Sequence, residues 1–168
     1  VLEHYGRVFV ELIATPFGYA DLVWGIVPLY FGWLVNELTS KKASYTTSIN
    51  TGFSFIWAAA HWIYQWSSGH PRLKAPTDWQ HLPAVNWLVA FAVLALGLTA
   101  LICGLRRKFP KYGSILGHTR FSNYFMIAIF PMQSNYLPWT WDRVIAICLF
   151  AAPVWIIVHF GLSPLRKK

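Results

Sequence analysis

The chain has 168 residues, 56% of them hydrophobic and only 12% charged, with a formal net charge of +8. Soluble domains carry about 25% charged residues, so this composition argues against a water-soluble domain and fits a chain whose exterior is solvated by lipid. The positive charge sits beside apolar runs and forms no single stripe, which speaks against a nucleic-acid partner.

Val1–Thr15 sets Val8 and Leu12 against Glu3, Arg7 and Glu11 at helical spacing. The pattern predicts a short amphipathic helix lying at the membrane interface. Residues 17–38 form the first predicted span, bounded by Asp21 and by Asn36 with Glu37, with Pro28 in the middle. Gly18, Gly25 and Gly32 recur every seven residues and share one helix face, where bare backbone lets a second helix approach. Asp21 is expected to cap the helix or to pair with Arg72 or Arg143. Glu37 is expected to form a solvated pair with Lys41, four residues on.

The second predicted span, 50–66, is short, needs Ile49 or Tyr45 to extend it, and ends in Trp62, Tyr64 and Trp66, an interfacial aromatic belt. His61 lies just below that belt. The loop that follows adds His70 and His81 on the same side. These three histidines are the candidates for a metal site (copper or zinc), and His61 is the candidate for haem or another cofactor. No HxxxH, HxH or CxxC spacing supports them, and Cys103 and Cys148 stand singly in apolar runs, so no cofactor is predicted within this chain alone.

Residues 86–105 have no charge across a length of roughly 30 Å, the thickness of a bilayer core. Ala90, Gly97 and Gly104 repeat the seven-residue spacing, so this third span is expected to pack on the glycine face of the first. The fourth segment, 121–137, is the weakest. Asn123, Gln133 and Asn135 are polar and Pro131 lies inside it, so it either crosses or re-enters. The last span is 141–160, with Pro153 inside and His159 near its end, where the ring snorkels or bonds to a carbonyl or headgroup.

Basic residues set the orientation. If all five segments cross, one side carries Lys41, Lys42, Arg106, Arg107, Lys108, Lys111, Arg120, Arg166, Lys167 and Lys168. The other carries only Arg7, Arg72, Lys74 and Arg143. The expected fold is therefore an all-α integral membrane protein, one domain over 1–168. It is a five-helix transmembrane bundle with the N-terminus outside and the C-terminus inside, preceded by the interfacial helix. Arg106, Arg107, Lys108, Lys111, Arg166, Lys167 and Lys168 are the expected contacts to anionic lipid headgroups.

Function is less legible. No nucleophile elbow, phosphate-cradling loop, HExxH or paired carboxylate set is present in the sequence. The leading expectation is a non-catalytic accessory or scaffolding subunit of a heteromeric complex in the plasma (inner) membrane, with other membrane subunits and lipids as partners. A small homo-oligomeric channel or transporter is the alternative, with His61, Asn123 and Gln133 lining a polar path. A membrane subunit of an oxidoreductase, sharing a histidine-ligated metal or haem with a partner, is the third.

Overall fold

A computed structural model describes residues 1–39, 44–68, 83–107 and 120–165. Six α-helices and no strand occur among them: α1 (Leu2–Ala14), α2 (Ala20–Thr39), α3 (Tyr45–Ser67), α4 (Pro83–Arg106), α5 (Arg120–Gln133) and α6 (Trp141–Gly161). Two helices are long and apolar enough to cross a membrane: α4 over Asn86–Arg106, with mean hydropathy 2.6, and α6, with 2.3. A third span is added if α1 and α2 count as one broken element. The described residues are thus all-helical with two or three candidate spans, which is consistent with a membrane protein.

The first expected span differs at its start. A 3-10 turn, Thr15–Gly18, follows α1, and Tyr19 is extended (φ −134°, ψ 115°). Pro16 and this extended residue break the helix, and α1 leaves α2 at 112°. Gly18 lies in the turn with nothing within 4 Å of where a Cβ would stand, so it is not part of the packing face.

The second expected span is extended at its start to Tyr45. Ser44 caps α3, its hydroxyl accepting from the Thr47 amide while the Ser44 amide donates to the Thr47 hydroxyl. The helix therefore runs 23 residues, about 35 Å. Its length suffices to span, but its polar residues keep it out of the strongly apolar class. α5 has 14 residues, about 21 Å, short of a membrane thickness. It is nonetheless the most enclosed helix: every residue from Met126 to Gln133 is buried.

α2, α3 and α5 pack around a shared core of Leu22, Ile26, Leu29, Phe55, Trp62, Ile127 and Phe130. α4 packs on the far side of α3, and α1 packs on α6 beside α5. The α4 glycine face meets α3, which corrects the expected pairing with α2. A Cβ on Gly97 would lie 3.0 Å from the Gly52 carbonyl oxygen, and one on Gly52 would lie 2.6 Å from the Leu101 nitrogen. Backbone meets backbone there, so no side chain fits without separating the helices. Gly104 faces Ile49 and Tyr45, and Ala90 is fully buried. On α2, Gly25 abuts His61 and Phe130, and Gly32 abuts Ser54. Both glycine faces thus turn toward α3, which lies between α2 and α4.

Hydrogen bonds and packing fix the direction of each helix. Asp21 of α2, Gln65 of α3, Asn86 of α4 and Gln133 of α5 lie at one end, where α6 also begins. Glu37, Thr51, Asn123 and His159 lie at the other, with Tyr45 donating to the Arg107 carbonyl. α2 to α6 therefore run alternately up and down.

Candidate functional site

The buried polar side chains gather in two layers, one near each end of the bundle. At the Glu37 end, Asn36 and Glu37 are fully buried on the last turns of α2. The Asn36 amide donates to the Thr51 hydroxyl at 3.1 Å, and the Asn50 amide reaches the Asn36 side-chain oxygen at 3.4 Å. The Asn123 amide, from α5, approaches the same Thr51 hydroxyl at 3.5 Å. Beside them His159 Nδ1 donates to Glu37 Oε2 at 2.9 Å. The His159 side chain keeps 22% of its exposure, whereas that of Glu37 keeps none. A carboxylate so enclosed requires a partner, because an unpaired buried charge costs far more than a lost hydrogen bond.

The second layer lies about 15 Å away, as the ten residues from Asn123 to Gln133 imply. Tyr136 donates to the Asp21 carboxylate. Gln65 and the His61 ring are 3.4 Å apart, and His61 stacks on Phe130 with centroids at 5.6 Å. Gln133 donates to the Asn86 carbonyl at 2.8 Å while its own carbonyl accepts from Trp66 at 3.2 Å. Asn86 in turn donates to the Asn135 side chain at 3.3 Å. The start of α4 is thereby clasped to the end of α5. Ile26, Leu29, Ile127 and Phe130 fill the space between the layers and are all buried.

The expected polar path is therefore divided. His61 and Gln133 belong to one layer and Asn123 to the other, with Ile127 and Phe130 between. The Asn123 and Gln133 side-chain oxygens are buried with no hydrogen-bond partner among the described residues. His61 and His159 stand in different layers. Among the described residues no three His, Cys, Asp or Glu side chains gather where a metal could bind. His70 and His81 lie outside the described residues, as do Lys108, Lys111, Arg166, Lys167 and Lys168 of the expected headgroup contacts. Arg106 and Arg107 are described and exposed at the end of α4.

Asp21 accepts from Tyr136, and Arg143 meets Glu11 of α1 at 3.4 Å and donates to the Pro138 carbonyl at 2.9 Å; Arg72, another expected partner of Asp21, lies outside the described residues. Glu37 is no solvated group: it turns into the protein toward His159, and Lys41 lies outside the described residues. Sequence reasoning missed the Glu37–His159 contact and the roles of Asn36, Asn50 and Thr51. An available signal was the recurrence of Asn50, Thr51 and Ser54 on α3 near one face, next to Asn36 of α2 in an antiparallel hairpin.

Comparison with protein-family models, curated proteins and solved structures gives no match for this chain.

Proposed function

We propose that this chain is a non-catalytic accessory or scaffolding subunit of a larger heteromeric complex in the plasma (inner) membrane. The observation that carries this reading is α6. Only 17% of its apolar span is buried within the chain, and Ile145, Leu149, Ile156, Ile157 and Phe160 are exposed along it. Such a helix offers a large apolar face to neighbouring membrane helices. The bundle interior, by contrast, is filled by apolar side chains between two polar layers, each of which bonds largely within itself.

In this proposal α2 to α6 form five crossings, with the N-terminus outside and the C-terminus inside. The alternating helix directions support it, as does the ten-to-four division of Lys and Arg between the two ends. The short α5 fits because its surroundings are protein. The amides of Ser134, Asn135, Tyr136 and Leu137 all bond back to carbonyls of Phe130, Pro131 and Met132, so the backbone after the helix is satisfied at depth.

Mild detergent extraction followed by intact-complex mass determination tests the proposal. A stable heteromer is expected. A symmetric assembly of this chain alone that conducts ions or solute after reconstitution rejects it and supports the channel or transporter reading. That second reading is favoured by the buried Asn123 and Gln133 oxygens, one in each layer. The same sample is checked for a haem Soret band and for copper or zinc, and a stoichiometric cofactor lost in His61→Ala supports the oxidoreductase reading.

A further inference from the structure

An open groove of about 790 Å³ lies between α1 and α6. Leu2, Gly6, Phe9 and Val10 of α1 face Phe150 and Val154 of α6 across it, and its walls are almost wholly apolar. The volume falls in the range of about 300–1,000 Å³ usual for small-molecule sites. Leu2, Gly6, Phe9 and Val10 share one helical face, and Glu3 and Arg7 also line the groove as an exposed ion pair. The pairs His4–Asp142 and Arg143–Glu11 fasten α1 to the first turn of α6. On α6 the groove is lined by Phe150 and Val154, about 6 Å apart by helical rise, and the exposed Ile157 continues the apolar surface beyond them.

From these features we infer that the groove is a phospholipid site, holding one acyl chain along α6 with the lipid phosphate at Arg7. Three observations select this occupant. The open side lies along a helix apolar enough to span a membrane, most of whose surface is not covered by the chain. The groove walls are almost wholly apolar but include the charged Glu3 and Arg7, so a ligand with an apolar chain and a charged head matches the lining. Arg7 is exposed, and a guanidinium that gives one donor to Glu3 keeps others for a phosphate. Gly6 shapes the floor: a Cβ there would make ordinary contact with Phe150 at 3.6 Å, so larger side chains are accepted by the helix but extend into the groove.

Two experiments test the site. The full chain is purified in mild detergent, delipidated by exchange, and offered a palmitoyl-oleoyl phosphatidylglycerol in mixed micelles, with bound lipid counted by native mass spectrometry. One tightly held lipid is expected for the wild type. Gly6→Leu should lower its binding by about tenfold or more with an unchanged thermal midpoint, since the loss is of buried chain contact. Arg7→Gln should weaken phosphatidylglycerol but leave the matching diacylglycerol unaffected. Wild-type lipid binding by a folded Gly6→Leu variant overturns the proposal. Independently of that variant's folding, a benzophenone side chain placed at Val10 is irradiated in native membranes. A lipid adduct is expected. A crosslink to a second copy of this chain or to another protein shows that the groove is a subunit interface and overturns the proposal.

Discussion

The indole N–H of Trp57 on α3 donates to the Trp24 carbonyl on α2 at 2.9 Å. That carbonyl is the one Pro28 orphans, since proline has no N–H to return to the residue four positions earlier. One turn away the Ser54 hydroxyl of α3 lies 3.0 Å from the Pro28 carbonyl itself. A proline inside an apolar helix is thus accommodated by polar groups on its neighbour, as membrane bundles require. Trp57→Phe should destabilise the protein by about 1 kcal/mol, the worth of one such bond. In a Pro28→Ala background the backbone regains an N–H at that position, which can donate to the Trp24 carbonyl, and the Trp57→Phe penalty should shrink toward zero. Equal penalties in the two backgrounds, measured by unfolding in mixed detergent micelles, would reject this pairing.

The crossing of α3 and α4 carries the second prediction. Gly52 and Gly97 bring two backbones together, whereas Gly18 faces open space. Gly52→Leu and Gly97→Leu should each cut the yield of monodisperse protein sharply, because the helices must part. Gly18→Ala should change stability by less than about 0.5 kcal/mol, as a surface substitution does. Size-exclusion profiles and thermal midpoints give the comparison. A Gly52→Leu protein as stable as the wild type would sink the close-packing account.

What the sequence made legible follows from the range of each signal. The apolar runs of α4 and α6 declare themselves locally, because a charge-free stretch of about 20 residues has few other uses. The seven-residue spacing singled out Gly25, Gly32, Gly97 and Gly104, where a Cβ would meet a neighbouring helix, but spacing within one helix does not name the partner. The shared partner α3 has only Gly52, which repeats with nothing. The boundary at Ser44 was set by a reciprocal cap with Thr47 inside a stretch whose composition reads as loop. Glu37 and His159 lie 122 residues apart, and nothing in either neighbourhood refers to the other. Ionisable residues near span ends were flagged by rule, yet their partners are fixed by the packing of separate helices.

Orientation can be read from outside the cell. In a Cys148→Ser background, which removes the exposed native thiol, single cysteines at Ser68 and Ser114 report the two ends of the bundle. In the proposed five-crossing arrangement Ser68 lies outside and Ser114 inside. An impermeant maleimide should label the first in intact cells and the second only after permeabilisation. Labelling of both positions from outside rejects the five-crossing arrangement.

The Glu37–His159 pair ties the end of α6 to α2, across a bundle in which α6 otherwise rests mainly on α1 and α5. Its two members are unequally enclosed, and this predicts an asymmetry. His159→Phe leaves a carboxyl with zero exposure deprived of the imidazole, and breaking a buried pair in this way costs on the order of 3 kcal/mol. Glu37→Leu leaves an imidazole that is 22% exposed and can turn its N–H toward the surface, so its cost should be smaller by about 1 kcal/mol or more. The double variant Glu37→Leu with His159→Phe should recover most of the loss, since two apolar groups of similar size replace the pair and leave no buried charge. Unfolding midpoints of the four proteins close a double-mutant cycle, and the coupling between the sites should exceed about 1 kcal/mol. Additive effects, or a Glu37 variant worse than the His159 variant, would show that Glu37 is held chiefly by other neighbours and that α6 does not depend on this contact.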